Sequence, residues 1–139
     1  MLCRLAGLES EYAIRFAPLN GQSHPGNRII YDAIINALQN RVRTLPGRYR
    51  PGFPKLFLEN GGSVCYEFLP YAVDGGLLEA ATPECSGPVD ILRYQRAQEK
   101  LLWQCIPDAE DQLARLGYPG EIGLLKTEVL EKSGHHLWC

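Results

Sequence analysis

Long apolar runs are missing from this 139-residue chain, and no stretch approaches the roughly 20 consecutive apolar residues that span a bilayer. The opening MLCRLAGLESEY likewise lacks the apolar run of a signal peptide, so no membrane partner and a cytoplasmic location are expected. An excess of basic charge is missing too. Lysine and arginine number 14 against 16 aspartates and glutamates, a net charge of -2, and no nucleic-acid partner is expected without a broad basic surface to meet phosphates. C-x-x-C pairs are absent. The cysteines at 3, 65, 85, 105 and 139 are odd in number and widely spaced, which signals neither a disulfide framework nor a zinc site and predicts reduced, mostly buried thiols. Repeats and linkers are absent as well. At 45% hydrophobic and 22% charged, the composition predicts one globular domain over residues 1–139.

What the chain does have is acid placed among strand-forming residues. The stretch NGGSVCYEFLPYAVDGGLLEAATPEC, residues 60–85, carries Glu67, Glu79 and Glu84. Asn60-Gly61-Gly62 is turn chemistry, after which Val64, Tyr66 and Phe68 alternate with Ser63, Cys65 and Glu67, predicting a strand with Glu67 on the face of Ser63 and Cys65. An irregular link over 70–76 leads to a second extended run, Leu77 to Thr82, which carries Glu79 and ends at Pro83. The two strands are expected to pair as a hairpin. From the residues alone two readings of these carboxylates stand: an exposed sheet edge, or a buried face matched by a metal ion, arginine or lysine.

The remainder predicts an α+β chain. Residues 4–16 alternate, with Ala6, Leu8, Tyr12, Ile14 and Phe16 on one face and Glu9, Glu11 and Arg15 on the other. Two carboxylates at i and i+2 on a strand lie roughly 7 Å apart, which allows them to share one cation or to hold two neighbouring ones. His24 falls in a Pro- and Gly-rich loop over 17–26. Asn27 is expected to cap a helix reaching about Val42, with Ile30, Ile34, Ala37 and Leu38 as its apolar stripe. The run RTLPGRYRPGFPK, residues 43–55, reads as an exposed basic loop because of Pro46, Pro51 and Pro54. Pro88 opens a second long helix with Asp90 in its first turn; Pro107 is expected to break or kink it, with Asp108 capping the continuation and Gly117 closing it. EIGLLK, residues 121–126, predicts a strand, followed by a polar tail over 127–139. Adjacent His135 and His136, with no third ligand near them in sequence, do not signal a metal site.

In this order, G-L-E-S-E-Y, N-G-G-S-V-C-Y-E, E-A-A-T-P-E-C, a long helix and G-E-I-G-L-L-K resemble the Pup ligase and Pup deamidase/depupylase family, the proteasome accessory factor A group of carboxylate-amine ligases related to glutamine synthetase. The resemblance covers nearly the whole chain. It implies the N-terminal part of a glutamine synthetase-like catalytic domain: an antiparallel-rich sheet with helices packed on one face. It also implies ATP and magnesium, a Pup-like protein modifier and lysine-bearing protein substrates. The reaction implied is phosphorylation of a side-chain carboxylate by ATP and displacement of the phosphate by an amine, giving an isopeptide bond. By position in the motifs, Glu67 matches the catalytic aspartate, Glu9 and Glu79 match magnesium ligands, and Thr82 matches a nucleotide-contacting threonine. Ser63 and Cys65 occupy the positions of a nucleotide-binding arginine and a metal-binding tyrosine.

The departures have physical consequences. Serine at 63 removes a cation that would meet phosphate, and a thiol at 65 is a poor magnesium ligand. Glu67 extends the expected carboxylate by one methylene, the H-P before the later glutamate is absent, and Thr127-Glu128 replaces the Asn pair after Lys126. Ligase chemistry, deamidase or depupylase chemistry, and a catalytically inactive binding module are the three functional readings. The missing long insertion after the first strand favours ligase. The resemblance further implies an incomplete domain, an unpaired sheet edge and a complementing C-terminal half.

Overall fold

The computed structural model describes residues 5–50, 53–69, 75–126 and 135–138. Its strands are β1 (Gly7–Pro18), β2 (Thr44–Arg50), β3 (Phe53–Leu58), β4 (Ser63–Phe68), β5 (Gly76–Ala81), β6 (Gly120–Lys126) and β7 (His135–Trp138), and its helices are α1 (Asn27–Gln39) and α2 (Pro88–Arg115). The sheet runs β2-β3-β4-β5-β1-β6, with β7 also pairing β1, and every pairing is antiparallel.

Side-chain alternation divides this sheet into two faces. The even-numbered residues Tyr12 and Phe16 of β1, Leu56 and Leu58 of β3, Val64 and Tyr66 of β4, Leu78 and Ala80 of β5, and Ile122 and Leu124 of β6 belong to one buried cluster. That cluster also holds Ile30, Tyr31, Ile34 and Leu38 of α1 and Leu102, Cys105, Ala109 and Leu113 of α2. Both helices therefore cover the even face. The odd face, with Glu9, Glu11, Ser63, Cys65, Glu67 and Glu79, is left to the site. Expected as an α+β arrangement with helices on one face, the chain folds that way.

Local chemistry explains the joins. In the β3–β4 turn Asn60 Oδ1 accepts the Gly62 N–H at 2.9 Å, and Gly61 takes φ 87°, a conformation that favours glycine. Gly117, at φ 92°, ends α2 as expected, with Tyr118 N–H donating back to Leu113 O at 2.9 Å. At the other end of α2, Pro88 is at the first helical position. The described cysteines, Cys65, Cys85 and Cys105, are free and buried, as composition predicted; Cys3 and Cys139 lie outside the described residues.

Five expectations are corrected. The run 43–55 is not a loop but mostly the β2–β3 hairpin. Pro46 is accommodated because β2 is an edge strand, and Pro54 because β3 meets β4 only over Lys55–Phe57. Pro107 does not end α2, which continues to Arg115 because Cys105, Ile106, Ala109 and Leu113 keep the same apolar face buried through it. Asp108, rather than capping, accepts the Arg41 guanidinium at 2.7 Å and ties the end of α1 to α2. Asn27 is inside α1, with Gly26 as the cap residue, and its amide donates to Gly76 O at 3.2 Å. Part of the tail forms β7, whose backbone pairs with Gly7–Ser10. The link at 70–74 and Thr127-Glu128 lie outside the described residues, as do the side chains of His135 and His136.

Candidate carboxylate site

Strand register builds the site. Read across β3, β4, β5 and β1, Lys55, Cys65, Glu79 and Glu11 stand abreast in one row of the odd face. One row along in one direction stand Glu67, Leu77 and Ala13; one row in the other stand Ser63, Ala81 and Glu9. The expected β4–β5 hairpin is what brings Glu67 and Glu79 together, and β1 adds its own acid from the far side of β5.

Oxygens of Glu11, Glu67 and Glu79 come within 4.8 Å of one another. Glu11 is only 6% exposed, and Glu67 Oε2 is buried with no hydrogen-bond partner among the described residues. Cys65 is buried, and its Sγ donates to Glu79 Oε1 at 3.3 Å. Burial raises the Glu79 carboxyl above the usual range; the Cys65 hydrogen bond opposes this, the charges of Glu9 and Glu67 add to it, and Lys55 opposes it. Burial likewise raises the Cys65 thiol, helped by the charge of Glu79 and the hydrogen bond to it, so the thiol is held protonated. Lys55 is the cation whose charge reaches both groups, while its Nζ lies 5.6 Å from the Phe57 ring centroid.

Of the residues singled out in the sequence, Glu67 and Glu79 converge. Glu9 does not join the group within 4.8 Å; it stands opposite Ala81, near enough for its charge to act on Glu79. Glu84 is exposed and away from the group. Ser63 is 5% exposed on the site face beside Cys65, and Thr82 is 4% exposed with its hydroxyl accepting the Leu8 N–H at 3.0 Å. Neither brings a cation to a phosphate. Lys126 serves the helix side, where its Nζ meets Glu99 at 2.6 Å and lies over the Tyr12 ring. Burial works to raise the Glu99 carboxyl, but the hydrogen bonds and charges of Lys126 and Arg96 outweigh it and hold it low.

Sequence reasoning misses Lys55 as a site residue and leaves Glu11 undistinguished from Glu9. The i, i+2 pair of acids on β1 was visible, but choosing between its members needs the register, which places Glu11 and not Glu9 opposite Glu79. The prolines around Lys55 signal a loop and hide its place on β3. The donor set fits a divalent cation: three carboxylates, one of them with an orphaned buried oxygen, converge where hard oxygen ligands are wanted.

A family model described as Pup-ligase protein matches residues 4–136. The chain belongs to that family. It is 31% identical over its whole length to a Pup--protein ligase of Jonesia denitrificans and 29% identical over 98% of its length to one of Rhodococcus opacus. It spans 27% and 26% of those proteins, about a quarter of each. Its fold is similar to that of the ligase PafA solved in complex with the prokaryotic ubiquitin-like protein Pup, at a TM-score of 0.64, 22% identity, and coverage of 96% of this chain and 24% of that one. That likeness carries the fold. No helix among the described residues is long and apolar enough to cross a membrane.

Proposed function

We propose that this Pup-ligase family chain supplies the carboxylate wall of a Pup--protein ligase site, for ATP-dependent isopeptide formation between the C-terminal glutamate of a Pup-like modifier and lysines of protein substrates. The observation that carries this reading is the convergence of Glu11, Glu67 and Glu79 on the sheet face opposite the helices in a family member. Glu67, with its buried Oε2 accepting nothing among the described residues, is the base that takes the proton of the incoming lysine. Glu79 and Glu11 hold the cation with Glu9 at their margin. A bound magnesium ion would supply neutralisation of phosphate charge. Ser63 and Thr82 line the nucleotide side without a positive charge, so the γ-phosphate contacts belong to a complementing C-terminal part of such a ligase. A cytoplasmic setting follows from the same reading.

The second reading, an inactive binding module, is favoured by Cys65, whose thiol occupies Glu79 Oε1. One experiment separates the readings. Residues 1–139 replace the matching segment of the Jonesia denitrificans ligase, and the chimera is given magnesium, ATP, a modifier ending in Glu or Gln, and a lysine-bearing acceptor. Conjugate should form, and Glu67→Ala should lower its rate about 10²–10⁴-fold. Release of ammonia without conjugate would assign deamidase chemistry instead. A folded chimera that binds no magnesium-ATP and makes no product would identify the binding module. The 139-residue chain alone should hydrolyse no ATP above buffer, with Glu67→Ala changing nothing.

A further inference from the structure

We propose that Asn27, the first residue of α1, is a positioning residue for Glu67, and that it sets where this base meets the incoming amine by holding the end of the β4–β5 ladder. The inference rests on the reading of Glu67 as the base, and adds what aims it.

Glu67 has little of its own to fix it. Its Oε2 is buried and accepts no hydrogen bond among the described residues, and its cross-strand partner is the apolar Leu77. The backbone on either side must therefore do the aiming, and both chain neighbours are tied to the start of α1. Tyr66, the residue before, is buried, with its ring centroid 5.2 Å from that of Tyr31 and 5.8 Å from the Arg28 guanidinium carbon. Phe68, the residue after, pairs with Gly76, and Gly76 O accepts the Asn27 side-chain amide at 3.2 Å. The Tyr66 ring also lies so close over Gly76 that a Cβ there would collide with it.

Register decides which site residue feels this clamp. Phe68 and Gly76 are the last pair of the β4–β5 ladder, and β1 pairs with β5 only as far as Leu77, so Gly76 has β4 alone beside it. A ladder end of this kind frays unless something outside the sheet holds it. Glu67 is one pair from that end, whereas Glu79 stands between Cys65 and Glu11 with a strand on each side. Without the Asn27 donor, Glu67 shifts while Glu79 and Glu11 keep their register. A base acts only within about 2.6–3.2 Å of the atom whose proton it takes, and a misplacement of about 1 Å can cost about 10²-fold in rate.

Asn27→Asp is the discriminating variant. It is nearly isosteric, its carboxylate cannot donate to Gly76 O, and a negative charge suits the first turn of α1, which has no acid of its own. In the 139-residue protein, thermal melting should be nearly unchanged, while hydrogen exchange should quicken about 3–10-fold at the Phe68–Gly76 end of the ladder and not in β1–β6. In the chimeric ligase, kcat for conjugation should fall on the order of 10–100-fold with KM for ATP unchanged. A kcat equal to the parent's, a KM for ATP that rises in step with the loss, or exchange that quickens evenly over the sheet would overturn the proposal and leave Glu67 as the base. If the parent chimera makes no conjugate, or Glu67→Ala leaves its rate unchanged, the base reading itself fails and takes this inference with it.

Discussion

Glu79 is the residue on which most of the site's influences meet. It faces Cys65 on one side and Glu11 on the other, and burial raises its carboxyl. The folded chain therefore holds the Glu79 proton more tightly than the unfolded chain does. From the ordinary carboxylate range up to the raised value, folding takes up a proton, so this group's contribution to stability falls as pH rises through that window and is flat above it. Glu79→Gln keeps an acceptor for Cys65 and removes the titration. Urea midpoints measured from pH 4 to 8 should show the variant gaining on the parent as pH rises. A difference constant across that range would show that the group does not titrate as described. Position along the chain disclosed Glu67 and Glu79 because each lies in an apolar alternating run. It could not choose Glu11 over Glu9, since both point to one face and only the pairing of distant strands distinguishes them.

Between helix and sheet, Gln98 of α2 does for the β4–β5 hairpin what no strand can. Its amide donates to Ser63 O and to Ala81 O, both at 3.1 Å, beneath the opposed pair that ends the ladder next to the site. Gln98→Met keeps the volume and leaves both carbonyls without this donor. The cost should be about 1–3 kcal/mol, lowering Tm by roughly 3–10 °C. Hydrogen exchange should locate the loosening at β4 and β5, and a loss spread evenly over the sheet would refute this role for the amide. Elements with strong periodicity, α1, β4, β5, β6 and most of α2, were legible in the sequence. The β2–β3 hairpin was not, because proline signals a break locally while an edge strand tolerates it, and edge position is a property of the assembled sheet. Pro107 misled for the same kind of reason: burial on both sides of it outweighs one lost backbone bond.

For the whole molecule, the central feature is that β1, made first, lies between β5 on one side and β6 and β7 on the other. Its partners arrive about 60, 110 and 120 residues later, so the loops that must close before β1 is paired grow with each addition. Such non-local pairing predicts refolding on the millisecond-to-second scale. In pulse-labelled exchange, α2 should gain protection before the amides of Tyr12–Phe16, and those amides should gain it together with β6. Early protection of β1 would contradict this order. During synthesis the strand bearing Glu9 and Glu11 therefore waits, unpaired, while nearly all of its sheet is still being made. In that interval the carboxylates of Glu9 and Glu11 are the charges that keep a waiting strand in solution.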